Sequence, residues 1–528
     1  VALGPLKQER YVFEINGRLA AGNVPVASIT QVPGGIVHVD RRGVHDIVDL
    51  PKRMYLDGFV WRVEDHDDCQ CNELVSLHNR HLLDDPSVRV SDAGLSELRS
   101  VMFEMVAAMP LETLETWSYE KVIHRMPAHK RARYWLAMKR LRDRDVDADD
   151  AQVKMMLKAE KFESAKLDEG KAGRAIQYRS PEYNLALMAA GLKSVEHEFY
   201  GAMRFGVSGT RNIAKCLNQS QRARLLREKW EAFSDPVAVL LDAKAWDAHV
   251  HTPLLKLEHD FYNKCMPGNS RFAWLLSMQI NNRGRTKYGI KYKVRGTRMS
   301  GDPNTALGNC VLNLMMLRAW LRRCGVSEFD ILLDGDDSVV IVNRRDLGRL
   351  DDTVIANNYG FQMKMETTDE FEAIDFCQCR PVYCFEGWRM VRYPDRLMSK
   401  DVVCVRNMCD RWHALCDAIG QAELALNSGV PVLQEFAIML IRAGAKGKIL
   451  NRRGRRQIFG EQVEYAGNMQ ARSTGRSAVA VPVQTRLSFW KAFDVSPDVQ
   501  LHLERWLNQH DPIVHPIRVS PVGEVVHK

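Results

Sequence analysis

At 528 residues the chain is too long for one ordinary core and implies about three or four subdomains. Its 45% apolar and 27% charged residues are those of a folded soluble protein, which sets aside a disordered chain. The 74 Lys and Arg against 66 Asp and Glu leave a net +8, an excess that matters for a polyanionic partner only where it is clustered.

Cysteines are scattered along the chain with no secretory apolar segment ahead of them, so reduced thiols in an intracellular compartment are expected. No run of about eighteen uncharged apolar residues occurs, so no segment is expected to span a bilayer. The chain starts at Val1 rather than Met, and a fragment or processed product, with any anchor or address lying outside it, is the expectation.

In chain order, residues 1–100 read as a loop-rich extension with a few strands. Within it "HDDCQCNELVSLHNRH" gathers His66, Cys69, Cys71, His78 and His81. Zinc sites favour Cys pairs two to four residues apart, and this pair has a single intervening residue, so a surface turn leading into a helix is the default over a structural zinc site. From Leu95 to about Arg144 the apolar spacing is helical. "KVIHRMPAHKRARYWLAMKRLR" carries basic residues including Lys130, Arg131, Arg133, Lys139 and Arg140, no acid, and interleaved Tyr134, Trp135 and Leu136. Basic residues mixed with aromatics track a phosphate backbone and stack bases, with a solvated face as the plain alternative. A second acid-free run, "RAGAKGKILNRRGRR", contains Arg452, Arg453, Arg455 and Arg456.

After an extended or helical run at "AQVKMMLKAEKFE" and a strand-turn-helix transition at "EGKAGRAIQYRSPEYN", "VAVLL" predicts a buried strand ending at Asp242. A helix follows, then the Gly-rich "RGTRMSGDPNTALGN" opening a long amphipathic helix that stops at Gly325. "ILLDGDDSVVIVN" predicts a β-hairpin whose type I′ turn is centred on Asp334-Gly335. A helix near Leu347–Asn357, a strand near Phe361–Glu366 and a hairpin near Ala373–Trp388 complete an α+β core, and the remainder from Asp401 is mainly helical with a turn at Gly-Val-Pro.

If the strand ending at Asp242 and the hairpin tip at Asp336 and Asp337 are neighbours in one sheet, their carboxylates share a volume and repel unless cations lie between them. Hard oxygen donors favour Mg²⁺, and a two-ion site of that kind performs in-line phosphoryl or nucleotidyl transfer.

The order "DAKAWD", "SGDPNTALGN" and "GDD" resembles motifs A, B and C of the RNA-dependent RNA polymerases of positive-strand RNA viruses, most closely the tombusvirus family. That family is matched also by "LKAEK" and "GRAIQYRSPEYN" upstream, by "GFQMK" and "FCQCRPVY" downstream, and by "AIGQAELALNSGVPVLQEF", so the resemblance covers roughly residues 115 to 445. It implies a right-handed fold: an N-terminal extension (1–100) packing on fingers or thumb, fingers (101–235 and 263–295), palm (236–262 and 296–388) and a thumb with the C-terminal region (389–528). Asp242 and Asp336 would be principal ligands of two Mg²⁺ ions, replaceable by Mn²⁺, with Asp337 in support. Asp247 and Asn309 would read the ribose 2′-hydroxyl, while Ser300, Gly301 and Thr305 would track template and nucleotide. Arg174 and Arg179, with Lys158 and Lys161 as weaker matches, would grip the triphosphate. Lys364 would be the general acid for pyrophosphate if its environment lowers its pKa. Single-stranded RNA, rNTPs and a viral membrane-anchored replication protein would be the partners, in the host cytoplasm at membrane-associated replication complexes.

The chain departs from the family at Lys244-Ala245-Trp246, where a Ser-Arg-Phe-like run is common, and at Gly173, where Pro usually precedes the arginine. Two competing functions are a reverse transcriptase, which Asp247 argues against because a DNA-making enzyme needs a bulky gate there, and an inert RNA-binding scaffold, which the intact acids argue against.

Overall fold

The computed structural model describes residues 69–84, 87–163, 172–402, 412–447, 475 and 477–515, with side chains throughout except at 83–84, 162–163 and 513–515. It also describes the backbone of short strands at 11–15, 18–22, 30–31, 36–39, 53–55, 63–64, 518–519 and 525–526.

The strands of the two larger sheets are, in chain order, β1 (Ile36–Val39), β2 (Val153–Leu157), β3 (Ala175–Tyr178), β4 (Pro236–Ala243), β5 (Asn281–Thr286), β6 (Ile290–Arg295), β7 (Phe329–Asp334), β8 (Asp337–Asn343) and β9 (Met363–Thr368). Helices that carry or brace the site are α1 (Gln70–Ser76), α2 (Tyr119–Arg125), α3 (Ala128–Asp143), α4 (Gln219–Glu231), α5 (Thr252–Cys265), α6 (Thr305–Arg323), α7 (Trp412–Asn427) and α8 (Leu433–Ala445). The chain is thus a mixed helix-and-sheet α+β protein.

The four-stranded sheet has the order β7-β8-β4-β9 and is antiparallel at every pairing. Its two inner strands, β4 and β8, are the ones with continuous apolar runs, because both of their faces are covered. Val239, Leu241, Ile331, Leu333, Val340 and Val342 pack on the side of α6, with Leu307, Val311 and Leu314. Ala238, Leu332, Val339 and Ile341 turn the other way, onto Leu225, Leu226 and Trp230 of α4. The edge strand β9 is half wet, with exposed Lys364 and Glu366. A five-stranded sheet, β3-β2-β5-β6-β1, stands beside the motif region, and β2 pairs with β5 in parallel.

Three expectations change. The helix near Leu347–Asn357 is instead a 3₁₀ stretch (Arg344–Arg349) and a single π turn (Ile355–Tyr359). Asp351 between them takes the Thr353 N–H at 2.9 Å, a local side-chain bond that competes with helix continuation. The later hairpin sits at Cys379–Cys384 and Gly387–Arg392, a few residues beyond its expected position. The segment with the Cys and His residues forms the expected helix, but that helix is buried rather than at the surface: all of α1 is buried, and Leu74 and Leu77 pack with Val153, Met155 and Tyr292. Cys69 caps α1, its sulfur accepting from Asn72 N at 3.5 Å, and His81 Nδ1 meets Gln177 Nε2 at 2.7 Å. Among the described residues no group of three or more His, Cys, Asp or Glu could hold a metal ion, and His66 lies outside them. The α7–α8 hairpin forms as expected, its turn using positive φ at Gly429 and Val432.

Three buried histidines give the fold an acid limit. Burial pushes His81 and His251 down to about 3, aided by Arg80 and Arg89 respectively, and His259 down to about 4 against the pull of Glu258. With folded pKa values below 6.5, the folded state binds fewer protons than the unfolded chain. Their contribution is therefore complete above pH 6.5 and is lost as pH falls toward 4 and 3. Each should remove on the order of 1.4 kcal/mol per pH unit in that window. Denaturation midpoints at pH 7.5, 6 and 5 check this, and a flat profile would contradict it.

Candidate active site

The hairpin β7–β8 closes with Asp334 opposite Asp337, so its two central residues are Gly335 and Asp336. Gly335 has φ +79° and Asp336 is not among the residues of positive φ. That is the φ pattern of a type II′ turn, one residue further on than the type I′ turn expected at Asp334-Gly335. The shift places Asp336 at the tip. Helix α6 holds the turn from behind: Asn313 Nδ2 donates to the carbonyls of Gly335 (3.0 Å) and Asp336 (3.2 Å), and Gly335 N donates to Cys310 Sγ at 3.2 Å. Asp334 is more than a turn residue, since it is ion-paired with both Lys215 and Arg222.

Asp242 lies near the end of β4 with an exposed side chain. Leu241 pairs with Ser338, so Asp242 and Asp337 are the next residues outward on adjacent strands, and Lys364 stands opposite Asp242 on β9. The acids feel one another. Loss of solvent raises Asp336 and the Asp242 charge adds to it, against the turn's own N–H, Lys215 and Arg174. Asp337 is pushed up to about 7 by loss of solvent and then by Asp336, Asp242 and Asp334, opposed by a hydrogen bond from Cys377. Hard oxygen donors that repel one another suit a divalent cation, although no three of them converge on one point among the described residues.

Asp247 follows β4 through a tight bend at Ala245 (φ +49°), and Trp246 is pinned there by stacking on Phe361 at 4.0 Å. This gives the departure at Lys244-Ala245-Trp246 a structural role. Asp247 is pushed up to about 6 by burial and by Asp336, offset by Arg298, a hydrogen bond from Asn309, and Arg80. The structure thus brings Asp247 and Asn309 together.

The Gly-rich loop is stitched to β3. Ser300 Oγ donates to Ala175 O (2.9 Å) and accepts from Gln177 N (3.2 Å), and Gly301 N donates to Gln177 O at 2.7 Å. A Cβ on Gly301 would lie 2.5 Å from that carbonyl, so the close approach requires glycine. Thr305 Oγ1 donates back to Met299 O at 2.7 Å.

The basic residues divide. Arg179 is 1% exposed, and its guanidinium is committed to Asp302 (2.8 and 3.1 Å), Ala151 O (2.6 Å) and Asn282 (2.6 Å). It braces the loop, whereas the expectation was a grip on triphosphate. Arg174 is exposed, paired with Glu160 at 2.6 Å, and close enough to act on Asp336; Lys158 shares Glu160 at 3.6 Å. Lys161 donates to Lys400 O. Lys364 pairs with Glu366 at 2.5 Å, and that carboxylate raises its pKa, so the condition set for a general acid of lowered pKa is not met.

On α3, Lys130, Arg133 and Lys139 are exposed with no ion pair to a described residue, while Arg131 caps α2 through His124 O and Met126 O (both 2.8 Å) and Arg140 pairs with Glu182 (2.7 Å). Arg452, Arg453, Arg455 and Arg456 lie outside the described residues. Sequence reasoning missed Arg80, whose charge acts on Asp247, and also Lys215, Asn313, Glu258 and Arg298. Arg80 was hidden in a segment read for its Cys and His; the others carry no local signature.

A carboxylate pair on neighbouring antiparallel strands, beside a cluster of buried polar side chains and surface cations, has the chemistry of a cation-dependent phosphoryl-transfer centre. The chain belongs to the viral RNA dependent RNA polymerase family, whose model matches residues 65–514. It is 34% identical over 385 residues to the RNA-directed RNA polymerase of Cucumber necrosis virus, covering 71% of this chain and 45% of that one. Against the RNA-directed RNA polymerase of Tomato bushy stunt virus (strain Cherry) it is 35% identical over 386 residues, with 71% and 45% covered. Against that of Tobacco necrosis virus (strain A) the identity is 32% over 425 residues, with 76% and 56% covered. The chain spans about half the length of these relatives.

Proposed function

We propose that the chain is an RNA-directed RNA polymerase that copies a viral positive-strand genome from rNTPs. The observation that carries this is the meeting of Asp242 with the Asp336 turn, in a chain of the viral polymerase family. In this reading the sheet β7-β8-β4-β9 is the palm (236–262 and 296–388), with fingers at 101–235 and 263–295 and a thumb at 389–528. Residues 1–100 then support the fingers, consistent with β1 pairing to β6.

Asp242 and Asp336, with Asp337, would hold two Mg²⁺ ions, replaceable by Mn²⁺. Bound there, the ions would supply activation of the attacking 3′-hydroxyl of the growing RNA and charge neutralisation on the leaving pyrophosphate. The chain's own residues do the rest. Asp247 and Asn309 bind the ribose, which favours rNTPs over dNTPs. Arg174 and Lys158 turn from Glu160 to triphosphate oxygens. Lys364, kept protonated by Glu366, can donate a proton to pyrophosphate beside Asp242. Single-stranded template, nascent RNA and a viral membrane-anchored replication protein are the partners, at membrane-associated complexes in the host cytoplasm. No helix among the described residues is long and apolar enough to cross a membrane.

The reading is tested by rNTP incorporation on a heteropolymeric RNA template with Mg²⁺ or Mn²⁺. Complementary product supports it, and incorporation indifferent to template sequence sinks it. The exposed cations of α3 make a separate expectation: Lys130→Ala/Arg133→Ala/Lys139→Ala should lower the slope of log K against log salt for single-stranded RNA by about 2. An unchanged slope would make them a solvated face.

A further inference from the structure

Arg298 reaches the core by an unusual backbone route. Gly296 and Thr297 both have positive φ, +78° and +61°, and a β-branched residue there is a genuine outlier, of the kind that gathers at functional sites. The turn is tied to the strand-end region, Thr297 N donating to Val250 O (3.0 Å) and Arg298 N to Asp247 O (2.8 Å). The Arg298 side chain, 2% exposed, forms a two-pronged pair with Glu258 of α5, which is fully buried. Glu258 is itself held by Tyr262 OH (2.8 Å) and Asn304 Nδ2 (2.9 Å). Helix α6 closes directly over the pair: a Cβ on Gly308 would lie 2.2 Å from Glu258 Oε1.

Of the N–H donors outside that pair, the one on Arg298 Nε goes to Asn309 Oδ1 at 3.0 Å. A guanidinium only donates, so the atom that Asn309 turns toward it must be its oxygen. The amide nitrogen therefore faces the other way, toward Asp247, whose charged form Asn309 favours.

We propose that Arg298, held by Glu258, is a positioning residue for sugar selection: it presents Asn309 to the nucleotide as a donor only and leaves the acceptor role to Asp247. This rests on the polymerase reading above. A ribose 2′-hydroxyl satisfies both partners, accepting from Asn309 Nδ2 and donating to Asp247. A 2′-deoxy sugar offers neither interaction in a half-buried site, and a 2′-fluoro sugar can serve only Asn309. With a freely rotating amide, the Asn309 oxygen could face Asp247, and two acceptors would then meet the sugar.

The test is single-nucleotide incorporation of CTP, dCTP and 2′-fluoro-dCTP opposite G in an RNA template. The variant is Arg298→Met/Glu258→Gln, which removes the pair together so that no buried charge is stranded. Its CTP-to-dCTP ratio of kcat/KM should narrow by about tenfold or more, because CTP suffers more than dCTP, and Arg298→Lys should retain most of the ratio. A purely structural defect lowers both nucleotides together, so an unchanged ratio overturns the proposal. Should the double variant not fold, the wild type still decides. It should use 2′-fluoro-dCTP better than dCTP, an advantage that Asn309→Leu abolishes, and equal use of the two overturns the donor assignment. Wild-type protein that incorporates no CTP at all removes the polymerase reading, and the proposal with it. Wild-type activity with an unchanged ratio removes only the role of Arg298.

Discussion

Asp336→Ala is expected to lower nucleotide incorporation by about 10³-fold or more, equivalent to about 4 kcal/mol of transition-state stabilisation, while leaving the protein folded. The turn does not depend on that side chain alone, because Asn313 holds the carbonyls of Gly335 and Asp336 and Cys310 holds the Gly335 N–H. Removing the charge also relieves the repulsion that raises Asp247 and Asp337. Thermal stability should therefore be unchanged or slightly higher, the trade expected where an acidic centre is kept for function. Incorporation assays beside melting curves check both halves. A variant that keeps wild-type activity would remove Asp336 from the chemistry, and one that is inactive because it is unfolded would remove the claim that the turn is independently held.

The largest effect on stability should come from Lys229→Met. Lys229 of α4 and Asp330 of β7 form an ion pair at 2.7 Å with both side chains 0% exposed. Asp330 also accepts the Ser208 N–H at 2.7 Å, and a Cβ on Gly206 would lie 2.8 Å from its Oδ1, so the carboxylate has no room to leave. Losing the ammonium strands a buried charge, which costs about 3–5 kcal/mol. Replacing both partners, Lys229→Met with Asp330→Asn, should recover much of that loss. Denaturant midpoints of the single and double variants measure it, and a single variant as stable as wild type would contradict the account. The effect should reach the site, since β7 leads straight to the Asp336 turn and the loop that Asp330 anchors also carries Lys215.

What was legible in the sequence follows from which signals are local. The continuous apolar runs of β4 and β8, the hairpin turn and the helical spacing of α6 are short-range patterns, and the structure contains the strands and the helix as expected, with the turn one residue further on. The turn was misplaced by one residue because Asp334 satisfies the same turn chemistry as Gly335; only its pairing with Lys215 and Arg222, from distant segments, takes it out of the bend. Arg179 illustrates the opposite failure. An arginine beside a basic motif looks like a phosphate grip, and the fact that Asp302, Ala151 and Asn282 consume its donors depends on three separate parts of the chain. The general-acid role of Lys364 was tied to an environment that lowers its pKa, and its neighbour Glu366 on the same edge strand raises it instead. Buried pairs such as Arg298–Glu258 lie beyond a sequence reading because their partners are far apart in the chain and neither residue type marks burial.

Asp242 at the end of one strand and Asp336 at the tip of another hairpin should act as one centre. Residues that act as a unit give losses that do not multiply. Rates of single-nucleotide extension for Asp242→Ala, Asp336→Ala and the double variant, each shown to be folded, test it most directly. The account predicts that each single variant falls by about 10³-fold or more and that the double variant is no worse than the poorer single one. Losses that multiply in the double variant, or a single variant that retains wild-type extension, would contradict it.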